Sequence, residues 1–381
     1  MSLVLDEHRR YLADRSRVSH YERALREVIR PGDVVVDLAS GTGILGLLAC
    51  RAGAARVYAV EAGPIAGLAR EIAQANGFGD RITVLRAHSS EVTLPERADV
   101  AVSDQIGRFG FDAGVLPLFA DARARLLKPG GRLVPSAIDL VVAPVEYRKG
   151  NRRVAFWSRH PARFDFTPAH RVSCNTGYPA RFAASHLLAS PRRGTTLDLG
   201  APVASPLRIE TTFEVMRSAT LDGIAGWFEA QLSPAVAMTN SPLSSERILR
   251  RQAFFPIAAP IAVTTGDRID VAMRILAEEV VVAWTVTVQP RNGEPVSSSQ
   301  STLHGMLLDA PDIRMTDPGY RPSLTARGIA RRTVLELCDA KHTLAEIEAE
   351  VFARHRTLFA SNADAATFVG EVVTRYTIDA E

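Results

Sequence analysis

The sequence predicts an α/β fold: a doubly wound parallel sheet, then a mostly antiparallel β domain, then a small helical domain. Three observations predict it. Short apolar runs alternate with Ala-rich helical stretches from Asp33 onward, a β-α-β-α order. From about Leu207 the apolar residues recur at every second position, the period of half-buried strands. Beyond Leu308 the period becomes helical and stays so. The chain of 381 residues is also too long for one ordinary domain.

In chain order, residues 1–30 form a helical segment, with Tyr11, Val18, Tyr21, Leu25 and Ile29 near helical spacing and charges between them. Pro31-Gly32 closes it. Residues 31–145 hold the runs "VVVDL", "RVYAVE", "ITVLRA", "DVAVSD" and "GRLVPS" as strands. Helical runs from Leu45 and Ile65 separate the first three, and Lys128-Pro129-Gly130-Gly131 turns sharply into the last. Residues 146–308 are expected to be a β domain. Its first part, about 150–205, is rich in Arg, His, Ser and aromatics and has weak periodicity; its strands are "LRIETTFEVM", "GIAGWFEAQL", "PIAVTTGDRIDVAMRI" and "VVVAWTVTV". A Pro/Asp/Gly connector leads into residues 309–381. There Thr343 is a good N-cap, and Glu346 completes a capping box three residues later.

Composition bounds the function. Apolar residues make up 46% of the chain and charged ones 23%, and the formal net charge is only +3, so charge does not point to nucleic acid. Cys50, Cys174 and Cys338 stand apart, which argues against a disulfide framework or a zinc site and fits a reducing cytoplasm. The charged start predicts no signal peptide, and no run approaches the length needed to span a bilayer. The nine histidines show no metal-ligand spacing. A cytoplasmic protein is expected, with no metal, nucleic-acid or membrane partner.

The stretch "VVVDLASGTGILG", Val34 to Gly46, carries most of the chemistry. G-x-G-x-x-G between a strand and a helix is a nucleotide-type loop, and Glu61 ends the next strand about 20 residues on, where an acid accepts hydrogen bonds from ribose hydroxyls. Asp37 decides which nucleotide. A carboxylate at this strand end would repel a pyrophosphate resting on the helix N-terminus. It would attract an ammonium group, such as the amino-acid end of S-adenosylmethionine. The loop therefore favours the methyl donor over a nicotinamide dinucleotide.

The run from "VVVDLASGTG" through "DRITVLRA", followed by "LKPGGRLVPSAIDLVVAPVE" and "SPLSSERILRRQAFFPIAAPIAVTTGDRI", resembles the protein arginine methyltransferases over roughly residues 12–308. The resemblance implies a Rossmann-like class I methyltransferase domain, an antiparallel β-barrel or sandwich, S-adenosylmethionine as cofactor and a homodimer made through an arm at about 150–205, with Trp157, Phe164 and Phe166 as apolar anchors. Position by position it implies that Arg17 holds the cofactor carboxylate, that Asp37, Gly41 and Gly43 form the cofactor loop, and that Glu61 is the ribose acid. Ser90 stands where the family carries an adenine-contacting acid; nearby His88 reads as a surface residue.

The acceptor side departs from the family. Its members grip a guanidinium with two glutamates after the fourth strand, since paired carboxylates bind a planar cation bidentately. Here "SDQIGRFGFDAG" places the shorter Asp104 at the first acid, and Asp112 one residue early at the second, with Arg108 between them. The family's Thr-His-Trp signature is replaced by Ile248, Leu249 and Arg250, and Tyr11 alone stands for its N-terminal aromatic pair. Two arginines bordering a reduced anionic clamp suit a neutral or anionic acceptor at least as well as a guanidinium. Asp104 either positions the acceptor or takes its proton, or else caps the turn; for Asp112 the turn cap is the better reading.

The C-terminal "LELCDAKHTLAEI", from Leu335, is similar to a recurring turn of PqqD-like domains, which bind leader peptides of ribosomally made natural products. That resemblance implies a winged-helix or three-helix domain built on Leu335, Leu337, Leu344, Ile347, Val351, Phe352, Phe368, Val369, Val372 and Val373. It also implies an edge strand that pairs with a leader peptide and so concentrates the substrate at the methyl site. The expected activity is methyl transfer to a side chain or terminus of such a precursor peptide, or of a protein. The alternatives are a true arginine methyltransferase, a small-molecule methyltransferase and a non-catalytic binding protein.

Overall fold

The structure is a computed structural model that describes residues 4–377. It divides into two compact units, Met1–Met306 and Leu307–Glu381.

The first unit opens with helices α1 (Val4–Ala13) and α2 (Arg15–Val28). Asp14 caps α2, its side chain accepting from the Arg17 amide at 3.3 Å. A parallel sheet follows: β1 (Val34–Leu38), helix α3 (Ile44–Ala52), β2 (Arg56–Val60), α4 (Ala66–Ala75), β3 (Ile82–Leu85), β4 (Ala98–Val102), α5 (Val115–Asp121) and β5 (Leu127–Val134). Spatial order is β3-β2-β1-β4-β5. All five residues of β1 are buried, as a run of β-branched residues between two parallel neighbours should be. The direction of winding reverses between β1 and β4, and ligands bind at such a switch point beyond the carboxyl ends of the strands.

Two antiparallel sheets complete this unit. The next elements are β6 (Ala137–Val145), α6 (Arg148–Ala155), α7 (Thr167–Cys174), β7 (Tyr178–Ala180), β8 (Arg192–Asp198), β9 (Leu207–Glu214), β10 (Ala219–Ser233) and β11 (Val236–Thr239). After them come β12 (Gln252–Val263), β13 (Arg268–Leu276), β14 (Val281–Gln289) and β15 (Val296–Ser301). One sheet runs β7-β12-β10-β6-β8 with β11 beside β10, and the other runs β15-β14-β13-β9.

Two boundaries move. The expected parallel domain ended at 145, but β6 pairs antiparallel with β10 from Ala137 to Val145, so the boundary falls just after β5. The expected arm over 150–205 shortens too. Its helical part is Arg148–Cys174, whereas β7 and β8 are sheet strands paired to β12 and β6.

The second unit is helical among its described residues: α8 (Ala310–Arg314), α9 (Ala326–Leu337), α10 (Leu344–Arg354) and α11 (Asn362–Tyr376). The last three helices enclose Val334, Ile347, Val351, Phe368, Val369 and Val372. Leu335 and Leu344, expected in this core, are 41% and 48% exposed; in α9 the helical phase turns Val334 inward instead of Leu335, and Leu344 stands at the first position of α10. No strand occurs among the described residues of this unit, so the edge strand implied for a leader peptide is not found. The recurring turn has structural work instead. Asp339 accepts from the Lys341 amide at 2.9 Å, and Thr343 and Glu346 form the expected capping box.

Candidate functional site

The site lies at the ends of β1 and β4. Asp37 is the fourth residue of β1 and is fully buried. Its Oδ2 accepts from the Gly46 amide at 2.8 Å, and its Oδ1 has no hydrogen-bond partner. Burial pushes its pKa up to about 7, against the Gly46 bond and the charge of Arg17, which lower it. Gly41 and Gly43 have φ of +56° and +78°, a region that favours glycine, and turn the chain from β1 into α3. A Cβ on Gly41 would lie 2.4 Å from Cε1 of His8, so α1 packs directly on the loop. Glu61 braces the loop from below: its Oε2 accepts from the Gly41 amide at 2.9 Å and its Oε1 from the Gly63 amide at 2.7 Å.

S-adenosylmethionine fits these residues. The orphaned Oδ1 of Asp37 and the unpartnered Oγ of buried Ser40 offer acceptors beside a loop with no side chain at two of its turns. A nucleotide pyrophosphate does not fit, since it would face a buried carboxylate. Ser90 is exposed and hydrogen-bonded through Oγ to Nδ1 of His88 at 2.7 Å, with no link to the loop residues.

Two residues beyond β4, Asp104 carries the densest electrostatics. Its Oδ2 accepts from Nε of Arg17 at 2.5 Å and from Nη2 of Arg250 at 2.7 Å. Its Oδ1 lies 3.1 Å from the Tyr21 hydroxyl. The three charged side chains are only 7%, 12% and 14% exposed for Arg17, Asp104 and Arg250. Burial would raise the Asp104 pKa, but the guanidinium groups of Arg250 and Arg17 outweigh it and hold the carboxyl below its ordinary value. Burial and the same carboxylate together push the Tyr21 phenol well up.

Local structure explains why these groups meet. The side chain of Asp14 caps α2 and also accepts from the Leu249 amide at 2.7 Å, which sets Arg250 beside α2. Asn240, fully buried, donates to the carbonyls of Arg108 at 2.9 Å and Arg251 at 3.1 Å, tying the Asp104 loop to the segment before β12. Arg17, expected at a cofactor carboxylate, pairs with Asp104 while its charge also acts on Asp37. Asp112 is a loop brace. Its Oδ1 accepts from the amides of Arg108 and Phe109 at 2.7 and 2.8 Å, and Arg108 stands 3.6 Å from its Oδ2. Sequence reasoning missed Tyr21, which it placed only in a helix face, and Asn240, whose one signal is a polar residue ending a strand.

A nucleotide-type loop with an orphaned acid at the switch point, continued by antiparallel sheets, defines a Rossmann-like methyltransferase. A family model described as ribosomal protein L11 methyltransferase (PrmA) matches residues 22–139. The chain is similar to protein arginine N-methyltransferase 6 of Xenopus laevis, 30% identical over 253 residues, which are 63% of this chain and 74% of that one. It is also similar to a solved Trypanosoma brucei PRMT1 enzyme–prozyme heterotetrameric complex with AdoHcy, with TM-score 0.70 and 22% identity over 77% of this chain and 97% of that one. A further likeness is to Arabidopsis thaliana protein arginine methyltransferase 10, with TM-score 0.68 and 22% identity over 78% and 98% of the two chains. The chain belongs to the protein arginine methyltransferase family, and it is a methyltransferase that uses S-adenosylmethionine.

Proposed function

We propose that this protein methylates a side chain of a peptide or protein, with arginine, the acceptor named for its relatives, as the leading acceptor. The observation that carries the reading is the placement of Asp37 and Asp104 at the ends of adjacent strands, with Arg17 acting on both. In this reading Asp37 holds the amino group of S-adenosylmethionine, Gly41 and Gly43 admit it, Glu61 takes its ribose, and Arg17 its carboxylate. When bound, the cofactor supplies a methyl group already activated on a sulfonium. Asp104 orients the acceptor. Its lowered pKa makes it a weak base, so its work is positioning rather than proton removal.

A second reading is favoured by one observation. Arg250 and Arg17 already share Oδ2 of Asp104, so its charge is compensated before any acceptor arrives, which suits a neutral or anionic acceptor instead. We also read the antiparallel sheets as the family's barrel, and the apolar part of the arm from Phe156 onward, with Phe156 and Phe164 50% and 68% exposed, as a homodimer contact in the cytoplasm. The narrower proposal of a precursor peptide held through its leader by residues 309–381 would have to use exposed apolar residues of the helices, such as Leu335 of α9 or Leu344 of α10.

The test uses the full chain, labelled S-adenosylmethionine and peptides differing only in one acceptor residue, with mass spectrometry locating the methyl group. Wild type is compared with Arg250→Met, which removes one of the two guanidinium groups on Asp104. Methyl on arginine, increased in the variant, supports the leading reading. Methyl on a carboxylate or imidazole, lost in the variant, establishes the second. Label confined to small molecules of a cell extract would sink both.

A further inference from the structure

A cleft of about 840 Å³ opens in the antiparallel domain and is lined by none of the side chains described above at β1 and β4. Ligand clefts span about 300–1,000 Å³. Six cations border it, Arg148, Lys149, Arg152, Arg153, Arg181 and Arg251, against a single acid, Glu146. That acid is already held by Arg148 at 3.3 Å and Arg217 at 2.9 Å. Among the described residues the other five cations have no acidic partner within 4.0 Å, and all five are exposed.

A basic helix face alone would be an ordinary solvated surface. Here three separate segments, α6, the residue after β7 and the residue before β12, bring like charges to one concave place, and mutual repulsion disfavours that unless an anion compensates it.

The aromatic lining narrows the ligand. Tyr147 packs edge-on against Phe182, His186 and Phe254 with ring centroids 4.8, 5.5 and 5.2 Å away. The Tyr178 ring is covered by the Arg153 guanidinium at 4.9 Å. Open ring faces for stacking bases, which single-stranded nucleic acid requires, are therefore scarce. Guanidinium forks match carboxylates bidentately. Although β7 ends its sheet and borders the same cleft, its middle residue is Pro179, which has no amide N–H to offer a further strand, so the cleft's charge rather than strand addition would hold the peptide.

We propose that this cleft binds an acidic polypeptide segment. On a protein substrate, such a segment would supply affinity away from the methyl site and raise the acceptor's effective concentration.

The test is direct binding of a fluorescent oligoglutamate peptide to the full-length protein, with Lys149→Glu/Arg152→Glu as the variant. Neither side chain makes a hydrogen bond or ion pair among the described residues, so both should be replaced without unfolding; melting temperature and S-adenosylhomocysteine binding check this. The expected result is binding that weakens with salt and falls about tenfold or more in the variant. Absent binding, binding indifferent to the charge reversal, or displacement of the peptide by an oligothymidylate of equal charge at lower concentration would each overturn the proposal. No methyl transfer enters this measurement, so its failure and failure of the proposed activity are distinguishable.

Discussion

The buried Asp37 makes cofactor affinity depend on pH. With its pKa at about 7, the carboxyl is half ionised at neutral pH and about 3% ionised at pH 5.5. A bound ammonium needs the ionised form, so affinity should fall about fifteenfold from pH 7 to pH 5.5, while the ligand amine stays protonated. The assay is calorimetric titration of S-adenosylhomocysteine across this range. Asp37→Asn should bind weakly and without that slope. Methylthioadenosine, which lacks the amino-acid end, should show no slope on wild type. The folded pKa lies above the unfolded value of 3.8, so the group's contribution to stability is full below 3.8 and is lost as pH rises through about 7. The free protein should therefore lose stability between about pH 4 and pH 7, with little further change above that, and the ligand should restore it. Equal slopes for the two ligands, or a flat wild-type curve, would refute the reasoning.

Two further predictions concern the same site. Asp104→Ala leaves Arg17 and Arg250 buried without their carboxylate, and should cost about 3 kcal/mol in denaturant unfolding. Because the Asp104 pKa is lowered, this stabilisation is present above 3.8 and fades as pH falls through the folded value, so wild type and variant should converge in acid. Gly41→Ala puts a side chain at φ +56° and 2.4 Å from His8, costing about 1–2 kcal/mol for the backbone alone. Adding His8→Ala should recover the steric part in melting temperature but not the backbone part.

The sequence shows some of this because some signals are local. β1 is readable, since five buried residues in a row need a strand covered on both faces, and Asp37 interrupts that run at its functional end. The capping box at Thr343 and Glu346 is local too. β6 is misplaced because "AIDLVVAPV" reads the same in either sheet; its partners, residues 223–231, lie far along the chain. β8 escapes because Arg192–Asp198 buries only Leu197 and so lacks alternation. The phase of α9 turns on one residue, with Val334 inside and Leu335 out, and adjacent apolar residues leave that choice to packing. Asp104 can be found by its position after a strand, but its pairing with Arg250 spans 146 residues.

That pairing bears directly on the acceptor. Asp104 faces two guanidinium groups, so the cluster carries a net positive charge before any acceptor arrives. A third guanidinium about 5 Å from an unmoved Arg250 would meet repulsion of about 3 kcal/mol at an effective dielectric near 20. An arginine acceptor therefore requires one resident arginine to leave. Arg17 is the more firmly held, on α2 with its Nη1 donating to the Tyr11 carbonyl at 3.3 Å and its guanidinium over two tyrosine rings. Arg250 is twice as exposed and, among the described residues, its guanidinium donates apart from Asp104 only to the Gly107 carbonyl at 3.3 Å. If the acceptor is arginine, Arg250 swings out and turnover is limited by that displacement. If it is neutral or anionic, Arg250 stays and contributes to binding. The two readings thus assign opposite signs to the same side chain, which is why removing its charge separates them.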